Sequence, residues 1–125
     1  MDKIYKIKLF NDTIDSLFDY LIEAFPLYKS DVLLSKSSVL LIRRGNPRII
    51  IQQFIEFVEP YKDKLLNCDE QFFLNFDKNI NIPKEHIMYG FKLRGIWRSS
   101  DISINQKTML WLYFHRLYKL GKEVV

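Results

Sequence analysis

The 125-residue chain is 48% hydrophobic and 15% aromatic, enough to bury one core and too apolar for a disordered protein. Nineteen basic against fifteen acidic side chains give a formal net charge of +4. Its length predicts one domain (residues 1–125), and the single cysteine, Cys68, excludes an intrachain disulfide and a cysteine-built zinc site, which fits a reducing compartment.

Residues 1–10 alternate Tyr5, Ile7 and Leu9 with Lys6 and Lys8, a period of two that predicts a short strand or an ordered N-terminal arm. From Asp12 the period changes. Ile14, Leu17, Phe18, Leu21, Ile22 and Phe25 share an arc of about 140°, with Asp15, Asp19 and Glu23 opposite. This predicts an amphipathic helix capped by Asp12 and ended by Pro26. Residues 29–44 carry Val32, Leu33, Leu34, Val39, Leu40, Leu41 and Ile42 around a Ser-Lys-Ser-Ser interruption. That pattern fits a helix with one polar face or two short strands, and the helix is preferred.

Gly45-Asn46-Pro47 then signals a restart, with Asn as the cap and Pro at the first helical position. The helix that follows holds Ile50, Ile51, Phe54, Ile55, Phe57 and Val58. Pro60 kinks it or opens a second piece covering Tyr61, Leu65 and Leu66, and Asp69 is placed to cap a short turn holding Phe72, Phe73 and Phe76. Residues 77–89 lack periodicity and predict a long loop. A short helix over residues 89–98 contains Phe91, Leu93, Ile96 and Trp97 and is weakened by Gly90 and Gly95. Ser103 and Gln106 form a capping-box pattern at the head of a final helix that Gly121 is predicted to stop.

On that final helix Leu110, Trp111, Phe114, Leu117 and Tyr118 fill an arc of about 120°, and Met109, Tyr113 and Leu120 widen it to about 200°. A helix resting on one core needs about 100°. Either this helix is central to the domain, or another chain completes its surface.

Isoleucine, lysine and asparagine are over-used and alanine occurs once, at position 24, a bias expected of an A+T-rich genome. Residues 46–74, the run 95–103 with Trp97 and Asp101-Ile-Ser, and residues 107–121 with Trp111 resemble a family of small uncharacterised helical proteins of nucleocytoplasmic large DNA viruses, the giant viruses of protists and algae. The resemblance implies a virus-encoded helical protein working in the host cytoplasm or viral factory, with the virion as a further location. It supplies no catalytic residue.

The residues themselves point to no reaction. His86 and His115 lack metal-ligand spacing, Cys68 sits beside Asp69 and Glu70, which disfavour a thiolate, and the four glycines form no phosphate-binding loop. No cofactor is expected. The longest uncharged apolar run, Thr108 to Phe114, is too short to span a membrane.

Two features remain. The last third, residues 91–125, holds seven basic and two acidic groups, and Arg43, Arg44 and Arg48 surround the start of the third helix, as Lys92, Arg94 and Arg98 surround Trp97. These six cations are candidates for binding a nucleic-acid backbone. Aromatic and apolar surplus on the final helix makes Trp97, Met109, Trp111, Tyr113 and Leu120 candidates for binding another protein or a second copy. The sequence therefore predicts an all-α single-domain bundle of five or six helices that is not an enzyme and acts by protein–protein interaction or assembly, with nucleic-acid binding as the alternative.

Overall fold

A computed structural model describes residues 2–74, 93–98 and 101–125. The fold is an all-α bundle, as the sequence predicts, and no strand occurs among the described residues. The elements are α1 (Lys3–Ala24), a 3-10 turn (Pro26–Tyr28), α2 (Lys29–Gly45), α3 (Ile49–Val58), a second 3-10 turn (Glu59–Tyr61), α4 (Lys62–Leu66), α5 (Glu70–Leu74), α6 (Leu93–Arg98) and α7 (Ile104–Val124). The predicted loop over residues 77–89 lies outside the described residues.

In place of the N-terminal strand or arm expected over residues 1–10, residues 3–10 form the first two turns of α1. Asp2 rather than Asp12 is the cap, its carboxylate accepting a hydrogen bond from Tyr5 N at 2.8 Å. The alternation of Tyr5, Ile7 and Leu9 is coincidental. Ile7, Phe10, Ile14, Leu17, Phe18 and Leu21 recur at helical spacing, and all are buried, whereas Tyr5 is exposed. At the other end Phe25 N closes the helix on Leu21 O before Pro26 redirects the chain.

α1 and α7 form the main interface, and α3 and α4 pack on another side of α7. Phe10, Leu21, Ile50, Ile51, Leu110 and Leu117 are fully enclosed there, and Phe10 meets Phe54 edge to face with centroids 5.7 Å apart. This arrangement accounts for the wide apolar surface of α7. It is the central helix, covered from two directions.

Gly121 does not stop α7, which continues to Val124. The glycine is buried where α7 passes α3 and α1: a Cβ on it would stand 2.6 Å from Ile55 Cδ1 and 3.5 Å from Phe10 Cε2. Close helix approach, not chain reversal, is its role.

Two of the other local signals form as predicted, and the third is displaced: α3 begins at Ile49 after Arg48, so Asn46 is not its cap and Pro47 is not its first residue. Ser103 and Gln106 exchange both hydrogen bonds of a capping box, and Asp69 Oδ1 accepts from Phe72 N at the head of α5. Asn46 Oδ1 accepts from Arg48 N, turning the chain into α3. The end of α4 is less expected. Cys68 adopts φ 54°, with Cys68 N donating to Leu65 O and Asp69 N to Lys64 O. That pair of bonds is a Schellman motif, whose left-handed position normally takes glycine.

Candidate interaction surface

α2 attaches to α1 and α3 by a narrow contact. Of its 17 residues only Val32 and Val39, seven apart, are buried. Two ion pairs reinforce the attachment to α1: Arg43 Nη2 lies 2.8 Å from Asp15 Oδ1, and Lys36 Nζ 3.0 Å from Asp19 Oδ1. Arg43 also donates to the Asn11 carbonyl at 3.2 Å, while Asn11 Nδ2 donates to Pro47 O, so α1 is tied to both ends of the α2–α3 connection.

The opposite side of α2 is turned to solvent and is rich in leucine. At about 100° per residue, Leu33, Leu34, Leu40 and Leu41 fall with Ser30, Ser37 and Arg44 inside an arc of about 120° facing away from the two valines. Leu34 is 69% and Leu41 66% exposed, and Leu33 and Leu40 are 41% and 38% exposed. The arc is as wide as the stripe by which a helix usually joins a core. Leu33 with Leu40 forms one ridge, Leu34 with Leu41 a second, and Ser30 and Ser37 lie between them. Leu27, in the turn before α2, is more exposed still.

Sequence periodicity does not single out this surface: it marks residues 29–44 as apolar on two sides without saying which side faces the core. The usable signal was the seven-residue repeat of Ser30 and Ser37 beside Leu34 and Leu41, on the side opposite Val32 and Val39.

The candidate partner residues around α7 fall differently. Trp97 is 8% exposed and packs edge to face on Trp111 with centroids 5.0 Å apart, so it belongs to the core and not to a free surface. Trp111, Tyr113 and Leu120 are partly buried against the core, Tyr113 meeting Tyr20 at 5.8 Å. Met109 is exposed, and Leu112 beside it more so. They are flanked by the exposed Asn105, Thr108, Arg116 and Lys119, which confines the apolar surface here to that one pair.

A polar edge closes over the tryptophan pair. Lys107 Nζ binds Glu70 Oε1 at 2.8 Å and sits 6.0 Å from the Trp97 ring centroid. The Lys107 hydrogen bond holds the Glu70 carboxyl below its ordinary range. The buried Trp97 indole N–H has no hydrogen-bond partner among the described residues. At the far end of α7, Glu59 accepts from Tyr118 Oη at 2.9 Å and pairs with Lys122 at 3.3 Å. The tyrosine hydrogen bond, then the lysine, lower the Glu59 pKa, while burial and then Glu59 raise that of Tyr118.

The six candidate cations do not converge among the described residues. Arg43 is spent internally on Asp15 and Asn11. Arg44 and Arg48 are exposed, and Arg98 donates to Leu74 O at 2.6 Å. Lys92 and the side chain of Arg94 lie outside the described residues, as does His86.

Cys68 and His115, far apart in sequence, come together with Sγ and Nε2 3.7 Å apart. His115 Nε2 is also 2.8 Å from Leu65 O. A carbonyl only accepts, so Nε2 carries the proton and is not available as a base for the thiol. Among the described residues no group of three or more His, Cys, Asp or Glu side chains could hold a metal ion, and no helix is long and apolar enough to cross a membrane. Set against family models, curated proteins and solved structures, the chain matches none.

Proposed function

We propose that this protein works without catalysis, as an interaction or assembly protein that docks through the outward leucine face of α2. The carrying observation is the division of that helix: two valines inward, four leucines outward within one arc. Scattered exposed leucines are ordinary on a protein surface, but four on one face of one helix make a contiguous patch of the kind that partners cover. Nothing polar on that arc except Ser30, Ser37 and the terminal Arg44 competes with apolar contact. The resemblance in residues 46–121 supports placing this activity in a large DNA virus, in the host cytoplasm or viral factory.

The nucleic-acid reading has less support. Substantial nonspecific binding needs about six phosphate contacts. Arg43 is committed to Asp15, which leaves Arg44 and Arg48 as the exposed cations around the α2–α3 connection. The test is a pull-down with the intact chain and with Leu34→Glu/Leu41→Glu: an interaction protein of this kind loses its partner in the double variant while keeping its helical circular dichroism. Retention of every partner by the folded variant refutes the α2 docking surface.

A further inference from the structure

We infer that the occupant of the α2 face is a second copy of this chain, docked with its own α2 antiparallel across a two-fold axis. The inference rests on the interaction reading above and adds the partner to it. Its basis is that the face is complementary to itself. Turn one α2 end for end about a point between Ser35 and Lys36, and Leu34 of one copy stands opposite Ser37 of the other, Leu41 opposite Ser30, and Leu33 close to Leu40. Leu34 and Leu41 then each meet a serine in the trough, and the Leu33–Leu40 ridges of the two copies meet each other, which is how ridges pack into grooves between helices. A parallel pairing instead sets Leu34 on Leu34, Ser37 on Ser37 and Arg44 on Arg44.

The size is adequate for a modest dimer. α2 is about 25 Å long and about 10 Å across; half the wall of such a rod is about 400 Å², so the pair buries on the order of 800 Å² over both copies, in the range of weak specific interfaces. Electrostatics do not drive it. Arg44 at one end of the seam approaches the end of the partner helix that carries Lys29, and both are exposed cations. Salt screens that repulsion, so the dimer tightens as ionic strength rises. Nucleic-acid binding has the opposite salt dependence.

The experiment is sedimentation equilibrium of the full chain from about 1 to 500 µM, at low and high salt. A concentration-dependent dimer that strengthens with salt is expected, with Leu34→Ala/Leu41→Ala weakening it by at least about 100-fold. The register is tested by mixing: Leu34→Glu alone and Ser37→Lys alone are each monomeric, and an equimolar mixture recovers a heterodimer, because Leu34 and Ser37 face one another only in the antiparallel pair. Loss of dimer in the single variants without recovery in the mixture overturns the register. A dimer indifferent to Leu34 and Leu41 overturns the inference. A monomer at every concentration also overturns it, and the pull-down then separates the two claims. A different protein held by the wild type and lost by the double variant leaves the interaction reading standing; no such protein removes both.

Discussion

Gly121 in α7 sits so close to Ile55 in α3 that a methyl group on the glycine would stand 2.6 Å from Ile55 Cδ1 and 2.8 Å from Cγ1. Alanine normally stabilises a helix interior over glycine by about 1 kcal/mol. Here the clash with a packed isoleucine outweighs that gain, and Gly121→Ala is expected to lower stability by about 1–3 kcal/mol in urea denaturation. Ile55→Val removes the Cδ1 atom, so adding it to Gly121→Ala should cost less than the two single changes predict, which a double-mutant cycle measures.

Gly45 is the contrasting case. It ends α2 without a positive φ, and nothing lies within 4 Å of a Cβ built on it. Gly45→Ala is expected to raise stability by about 0.4–1 kcal/mol, chiefly by restricting the unfolded chain. A fall in the urea midpoint would contradict this.

At Cys68 the preference reverses. Its φ of 54° is the left-handed conformation that costs a residue with a Cβ about 1 kcal/mol, and the thiol is exposed. Cys68→Gly should therefore gain up to about 1 kcal/mol, and Cys68→Val, branched at Cβ, should lose at least as much. Thermal unfolding of the three proteins under reducing conditions checks the order.

Stability should fall at both extremes of pH, for separate reasons. The Glu59 and Glu70 carboxyls have folded pKa values below the ordinary one, so their contribution is fully present above about pH 4.3 and is lost as pH falls through their lowered values. The Tyr20 and Tyr118 pKa values are raised, so their contribution holds below about pH 10 and is lost as pH rises through the raised values. Tyr118→Phe removes the largest cause of the Glu59 shift and should flatten both limbs of the stability profile relative to wild type.

Leu34→Glu and Val39→Asp test the division of α2 within a single chain. The first replaces an outward side chain and should change monomer stability by no more than about 0.5 kcal/mol. The second puts a carboxylate where Val39 is buried and should cost several times that, about 3 kcal/mol or more. Comparable losses from both would mean that the two faces are misassigned.

What was legible in the sequence was what is local. The Ser103–Gln106 capping box and the Asp69 cap depend on residues three apart, and both form as predicted; Asn46 turns the chain toward α3 but does not cap it, since the helix begins at Ile49. The start of α1 was missed because Lys6 and Lys8 interleave with apolar residues at a strand-like period, while Asp2, the actual cap, precedes them. The candidate site was illegible for a different reason. Whether Leu34 or Val39 faces inward depends on contacts with segments distant in sequence: Val32 and Val39 join the core, and Arg43 and Lys36 meet Asp15 and Asp19 of α1 across 28 and 17 residues. Trp97 was misplaced on the same account: its aromatic neighbour Trp111 was visible, but not that the two rings would pack on each other.

The pairing of α1 with α7 joins segments about a hundred positions apart, while most helical bundles pair neighbours. A ribosome must therefore deliver nearly the whole of α7 before Phe10 and Leu21 find Leu110 and Leu117. Until then α1 waits with its apolar face uncovered and little intrinsic propensity to hold it helical, so the chain should refold more slowly than a bundle that pairs neighbouring helices, which stopped-flow fluorescence of Trp97 and Trp111 would measure.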